Sequence, residues 1–183
     1  MSFTGLTNEQ YDALKDYPQI IYGLAETDLG PLAVAFWSHK TEDKICYLGL
    51  KARELSVIAA LQKIFPRNTL KRDDKRATSF AKAYFTKSGK TKDWPLLLKG
   101  TEFFIAMWRV VAKLPSGKTM TYKELAAKAG RPLAIRAAGQ AMATNPVALL
   151  IPCHRVLGSS NGGLGGYGYG LEFKRNLLAA EKT

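Results

Sequence analysis

Cysteine and histidine are scarce in this 183-residue chain, with two of each: Cys46, Cys153, His39 and His154. Two cysteines exclude a scaffold built on disulfides. A structural zinc site would have to enlist every one of these four residues, without the close Cys-x₂-Cys pair such sites usually show. No metal and no cofactor is therefore expected. Long apolar runs are missing as well: residues 103–111 and 147–153 are too short or too interrupted to span a bilayer. The opening residues, Met1-Ser-Phe-Thr-Gly-Leu-Thr-Asn-Glu-Gln10, have neither the basic n-region nor the apolar h-region of a secretory signal. A soluble cytoplasmic protein is expected, or a nuclear one in a eukaryote. Acids are few, 15 against 27 Lys and Arg, for a formal charge of +12. Such an imbalance says nothing of fold but favours a polyanion, either nucleic acid or an acidic membrane surface. The chain is also 46% hydrophobic, enough to bury a core, which excludes global disorder.

The charge is uneven along the chain. Residues 101–183 carry 11 basic and 4 acidic side chains, and residues 1–100 carry 16 and 11. The spacing predicts an α+β protein of two domains. Residues 1–92 form a small N-terminal supporting domain, with strands over 20–26, 32–37 and 44–50 in an antiparallel meander. Helices follow over 52–65, on a stripe of Leu55, Ile58, Ala59, Leu61 and Ile64, and over 75–86. The polar stretch 87–93 reads as a linker, and Trp94-Pro95-Leu-Leu-Leu98 as a segment that docks one domain on the other. Residues 93–183 form a mainly helical domain. Cys46 is read as a buried strand residue, His39 as a solvated turn residue and 71–76 as an exposed helix start.

Within the second domain, a helix is predicted over 101–113, with Phe104, Met107, Trp108 and Val111 on one face. Thr121-Tyr-Lys-Glu124 is a capping box, opening a helix that stops at Gly130. Pro132 suits the first turn of the next helix, predicted over 133–144. Two short helices joined by a tight Gly turn are the pattern of a helix-turn-helix. The second of them is almost bare: Ala134, Ala137, Ala138, Gly139, Ala141 and Ala143, with Arg136 its single charge. Such a helix either packs in a core or lies close against another surface, presenting one cation. A mid-helix Gly costs about 1 kcal/mol relative to Ala, so close approach would be a reason for Gly139. The local excess of positive charge favours a DNA surface.

Ile151-Pro-Cys-His-Arg155-Val156 carries the chemistry. A Cys beside a His, after an apolar run and before a Gly/Ser-rich loop, invites a nucleophile reading, because the thiolate is the reactive form and a nearby base raises its population. On an extended strand the two side chains would point to opposite faces, so a turn or a bridging water is needed. A lone Cys read without context is a buried small hydrophobe.

Several motifs now supply context. They are Gly100-Thr101…Trp108, Thr121-Tyr122, Arg136-Ala-Ala-Gly139, Asn145-Pro146, Pro152-Cys-His-Arg-Val156, Gly166-Tyr-Gly-Tyr-Gly170-Leu171, and Lys174 with Leu177-Leu178-Ala-Ala-Glu181. In this order and spacing the chain resembles the O6-alkylguanine-DNA alkyltransferases (methylated-DNA–protein-cysteine methyltransferases), the suicide enzymes of direct DNA repair. The resemblance implies that Cys153 takes the alkyl group from guanine O6, and extends to O4-alkylthymine in some members. It makes His154 the base, acting through a water, and Glu181 the group that orients His154. It implies double-stranded DNA as partner, bound by a monomer that contacts the minor groove through the second helix, with the lesion flipped out. Ala137 and Gly139 would allow close approach, and Arg136 would fill the gap left by the nucleotide. Tyr122 would sit at the phosphate of the flipped nucleotide, and Asn145 would brace the turn before the Cys153 strand. The Val156 amide and Cys153 carbonyl would hold the guanine edge, while Tyr167, Gly168 and Tyr169 close the pocket. Lys123, Arg131, Arg155, Ser159 and Lys174 complete the implied DNA and substrate contacts. Tyr169 stands where many members have Gly, which predicts a narrower pocket.

Two other classes meet some of these features. A helix-turn-helix regulator would read bases in the major groove with polar side chains, and here the second helix offers few beyond Gln140. A Cys-His hydrolase would turn over and would need an oxyanion hole.

Overall fold

The computed structural model describes residues 2–39, 42–86, 93–158 and 163–182, and the linker expected over 87–93 lies almost wholly outside them. The chain divides into two compact units, Met1–Gly100 and Thr101–Thr183. Residues 93–100, expected in the second domain, therefore belong to the first. The reason is the Leu96-Leu97-Leu98 run, which is buried in a strand rather than held at a domain surface.

The first unit is a six-stranded sheet in the order β1-β6-β4-β3-β2-β5. Its strands are β1 (Phe3–Thr7), β2 (Gln19–Ala25), β3 (Leu32–His39), β4 (Glu42–Leu50), β5 (Leu70–Arg72) and β6 (Leu96–Gly100). The meander β2-β3-β4 is antiparallel as expected, while β1 pairs with β6 and β2 with β5 in parallel. A short α1 (Asn8–Asp12) follows β1. Strand alternation puts Tyr22, Ala35, Trp37 and Cys46 on one face, where α2 (Glu54–Ile64) covers them with Val57 and Leu61. Leu55, read as part of that stripe, is 82% exposed instead. On the other face α3 (Asp74–Tyr84) sets Phe80 against Phe36. It comes so close to β2 that a Cβ at Gly23 would lie 2.3 Å from the Asp73 carbonyl oxygen. Cys46 is fully buried, its thiol within 3.5 Å of the Ala35 carbonyl, and burial pushes its ionisation far up. It is inert packing. His39 is exposed at the end of β3.

The second unit opens with α4 (Glu102–Ala112), capped by Thr101, whose hydroxyl accepts from the Phe104 amide at 3.2 Å. Its buried face is Ile105, Met107, Trp108 and Val111, with Phe104 only half-buried. The two-residue strand β7 (Met120–Thr121) runs straight into α5 (Tyr122–Lys128). The capping box forms as read from sequence: the Glu124 amide donates to Thr121 Oγ1 at 3.1 Å and the Thr121 amide to Glu124 Oε2 at 2.6 Å. Gly130, at φ +76°, turns the chain, and α6 (Ile135–Ala143) follows. That helix begins two residues later than expected. The Arg131 amide donates to Ala126 and the Ala134 amide to Arg131, so Pro132 and Leu133 lie in the turn. Trp108 Nε1 donates to the Ala141 carbonyl at 2.8 Å and holds α6 on α4. A single 3₁₀ turn (Cys153–Arg155), the short β8 (Val156–Leu157) and α7 (Leu171–Ala180) complete the unit. Strands β7 and β8 pair in parallel, Met120 with Val156 and Thr121 with Leu157. No helix among the described residues is long and apolar enough to cross a membrane.

Candidate active site

The apolar run before Cys153 does not form a strand. Leu149 adopts φ +66° and the Leu150 amide donates to Ala148 at 2.8 Å. Pro152, at φ −78° and ψ 67°, centres a second tight turn, in which the Cys153 amide donates to Ile151 at 2.8 Å. Both are three-residue turns, and the first is of the rarer, strained hand. A buried backbone that leaves the sheet must find other hydrogen-bond partners. Asn145 supplies them: its Nδ2 donates to the Ile151 carbonyl at 2.8 Å and its Oδ1 accepts from the Val147 amide at 3.0 Å. Asn145 thus braces the turns that precede Cys153.

Cys153 lies on the floor of a pocket of about 530 Å³. Tyr122, Gly139, Asn145, Tyr167, Gly168 and Tyr169, all read as site residues, share its wall. Met142, Ala143, Ala148 and Gly166 add to the lining, and of these Met142 and Ala148 were not singled out from sequence. A Cβ at Gly139 would meet nothing within 4 Å. Nothing inside the protein requires that glycine, so the space it leaves faces outward. Gly165 is the opposite case: at φ +66° its Cβ would lie 2.8 Å from the Tyr122 ring, so glycine there lets the loop close on Tyr122.

Cys153 is 7% exposed. Burial pushes its ionisation up, partly offset by a hydrogen bond from Asn145, the Lys174 charge and nearby amides. A thiol held protonated in this way needs a base to react, and the next residue in the chain is a histidine. His154 is buried, and its Nε2 lies 2.7 Å from Glu181 Oε1. Burial pushes the Glu181 carboxyl up, but hydrogen bonds and charge from His154 and Arg155 overcome this and bring it down to about 2. Ionised, Glu181 can only accept, so Nε2 carries a proton, and in the neutral ring the lone pair falls on Nδ1. Among the described residues Nδ1 is buried without a partner, as is the Tyr167 hydroxyl. The Tyr122 phenol is held protonated by burial and by its nearness to Cys153. The 3₁₀ turn meets the geometric need raised by the sequence, since it takes His154 out of the strict alternation of an extended strand.

Two cations expected among the DNA contacts are used inside the fold. Arg155 grips Glu181 with both arms, Nε to Oε2 and Nη2 to Oε1 at 2.8 Å each, and its Nη1 donates to the Leu114 carbonyl at 2.5 Å. Its side chain is 14% exposed, with its guanidinium engaged by Glu181 and Leu114. Lys174 is fully buried and donates to the carbonyls of Val156 (2.7 Å), Leu164 (2.5 Å) and Gly166 (3.3 Å). Burial lowers its ionisation to about 8. A signal was available, because Lys174 precedes Leu177 and Leu178 by three and four residues and so shares their face of α7. The Val156 amide, expected on the guanine edge, closes the 3₁₀ turn by donating to the Cys153 carbonyl. The two groups read as a substrate clamp bond to each other.

The remaining expected contacts lie apart from the pocket wall. Lys123, Arg131 and Arg136 are exposed and Ala137 is half-buried. Ser159 lies outside the described residues. No group of three or more His, Cys, Asp or Glu that could hold a metal ion occurs among the described residues.

Fold and site together define a class: a cysteine in a pocket walled in part by the second helix of a helix-turn-helix, next to a buried histidine–glutamate pair. Comparison with known proteins agrees. A family model described as "6-O-methylguanine DNA methyltransferase, DNA binding domain" matches residues 102–183. The methylated-DNA–protein-cysteine methyltransferase of Methanosarcina barkeri is 36% identical over 163 residues, spanning 88% of this chain and 97% of that protein. The bifunctional transcriptional activator/DNA repair enzyme Ada of Escherichia coli is 33% identical over 181 residues, 97% of this chain but 49% of Ada. A solved structure of Mycobacterium tuberculosis OGT in complex with DNA matches with a TM-score of 0.69 at 32% identity, over 88% of this chain and 92% of that one. The chain belongs to the methylated-DNA–protein-cysteine methyltransferase family.

Proposed function

We propose that this protein repairs DNA by direct reversal, moving the alkyl group of O6-alkylguanine onto Cys153 in one irreversible displacement. The observation that carries this reading is a pocket cysteine followed in the chain by a buried histidine whose Nε2 lies 2.7 Å from an ionised Glu181 and whose Nδ1 has no partner among the described residues. A water between Nδ1 and Sγ would satisfy both and carry the thiol proton to His154. The thiolate then attacks the alkyl carbon. An S–C bond forms, the C–O6 bond breaks, and its electron pair leaves on O6. The proton taken by His154 returns through water to the guanine. A thioether has no good leaving group, so each molecule acts once.

The lesion atom lies inside a duplex, so the nucleotide must be flipped out, at a cost of a few kcal/mol that damage reduces. Arg136, exposed on α6 beside the pocket, is suited to fill the gap. Lys123 and Arg131 supply sequence-independent affinity that weakens steeply with salt. Intact mass after incubation with an oligonucleotide bearing O6-methylguanine tests the proposal. One added methylene equivalent, mapped to the Cys153 peptide, supports it. An unmodified protein, or one that turns over repeatedly, would sink it.

Pocket size gives a second expectation. Tyr169 packs at 5.5 Å from Tyr167 and 6.5 Å from Phe173, and this aromatic row narrows the pocket wall. Methylated guanine should react faster than benzylated guanine by at least about tenfold, the scale of steric discrimination in an apolar pocket. Tyr169→Gly should shrink that gap. Equal wild-type rates with the two bases would remove Tyr169 as a size filter.

A further inference from the structure

Leu133 and Ile135 are exposed large hydrophobic side chains, 96% and 40% respectively. They flank the start of α6 and adjoin Arg136. Ile135 is four residues before Gly139 and seven before Met142, so it lies one turn ahead on the face of α6 that lines the pocket. The apolar stripe of the pocket wall therefore continues along α6 to Ile135, and Leu133 stands in the turn just before the helix. They are held by a turn closed by the Arg131 and Ala134 amides, not by a flexible tip.

The surroundings decide what they meet. Lys128, Arg131 and Arg136 are all exposed nearby in the sequence, and no Asp or Glu occurs between Glu124 and Glu172. An apolar pair within a purely cationic stretch suits a polyanion with an apolar interior, which is what stacked bases are. Two side chains are also far too small a patch for a stable protein interface, which buries about 1,200–2,000 Å². We infer that Leu133 and Ile135 are an apolar wedge that enters the base stack of duplex DNA beside Arg136 and holds open the step from which the alkylated nucleotide leaves. Apolar side chains placed in this way unstack neighbouring bases in other DNA-bending proteins. The wedge acts on the duplex alone, because a single strand has no partner stack to part. This inference rests on Cys153 being the alkyl acceptor for a flipped base.

The test compares single-turnover methylation of Cys153 by O6-methylguanine in duplex and in single-stranded oligonucleotides. In the Leu133→Ala/Ile135→Ala variant the ratio of duplex to single-strand rates should fall about tenfold, the scale of weakened unstacking. The conservative Leu133→Met/Ile135→Val variant should keep the wild-type ratio. Both sites are exposed enough that the variants should melt near the wild-type temperature. An unchanged ratio overturns the wedge. So does an equal fall in both rates, which would make the pair a general affinity contact, or a change confined to self-association of the free protein. If wild-type protein methylates Cys153 on neither substrate, the repair reading fails instead.

Discussion

Cys153→Ser will take up no methyl group from O6-methylguanine DNA, however long the incubation, while still binding the oligonucleotide. The side chain sits 7% exposed on the pocket floor, so a near-isosteric hydroxyl leaves the packing and the DNA-facing surface as they are. What it removes is an acidic, polarisable nucleophile. A free thiol ionises near pH 8.5, and although burial pushes Cys153 upward, it remains far more acidic than an alcohol. A hydroxyl in the same place stays protonated. Intact mass gives the first half of the result and an electrophoretic mobility shift the second. A serine variant that gains the methyl mass would move the acceptor away from residue 153. One that loses DNA binding together with transfer would make Cys153 a structural residue.

Glu181→Gln should slow transfer about a hundredfold, within the range usual for a lost general base. The amide can still accept from His154, but it no longer stabilises the imidazolium that forms when the thiol proton arrives. It also leaves the Arg155 guanidinium facing a neutral group. Glu181 and Arg155 side chains are 16% and 14% exposed, so removing one charge strands the other, at a cost of about 3 kcal/mol. The acid behaviour has a definite sign. Glu181 is held at about 2 in the folded protein against 4.5 for a free carboxyl. Between these values the unfolded chain binds the extra proton, so the contribution of Glu181 is complete above pH 4.5 and is lost as pH falls towards about 2. Urea unfolding across this window should show a steeper acid loss for wild type than for Glu181→Gln. Parallel acid limbs, or a wild-type transfer rate in the variant, would remove Glu181 from the relay.

Some of this site can be read directly from the sequence, because the interactions are local. The Thr121–Glu124 box, the Gly130 turn and the start of α5 depend on residues three or four apart. The pocket glycine at 139 is visible as a helix position with no propensity reason to exist. Arg155 and Lys174 are different. A cation in a sequence reads as exposed by default, and only the fold brings Glu181 and Leu114 to Arg155, or three backbone carbonyls to Lys174. The run 147–151 shows the limit of pattern reading, since a short apolar stretch is equally a strand or a buried irregular segment. Asn145, six residues before Ile151, decides between them by serving the backbone that a neighbouring strand would otherwise serve. The boundary at 92 failed for a related reason. A composition change marked the linker, but the strand pairing of 96–100 with 3–7 is a contact across the whole first unit.

Lys174 ties the pocket wall to the turn that carries Cys153. Its ammonium holds Val156, whose amide closes the 3₁₀ turn, together with Leu164 and Gly166, and the Gly158 amide donates to Gly163 at 2.9 Å. Gly166, Tyr167 and Tyr169 line the same pocket as Cys153. One buried cation therefore keeps the aromatic wall and the reactive residue in register, and a buried carbonyl stripped of its donor costs about 1–3 kcal/mol.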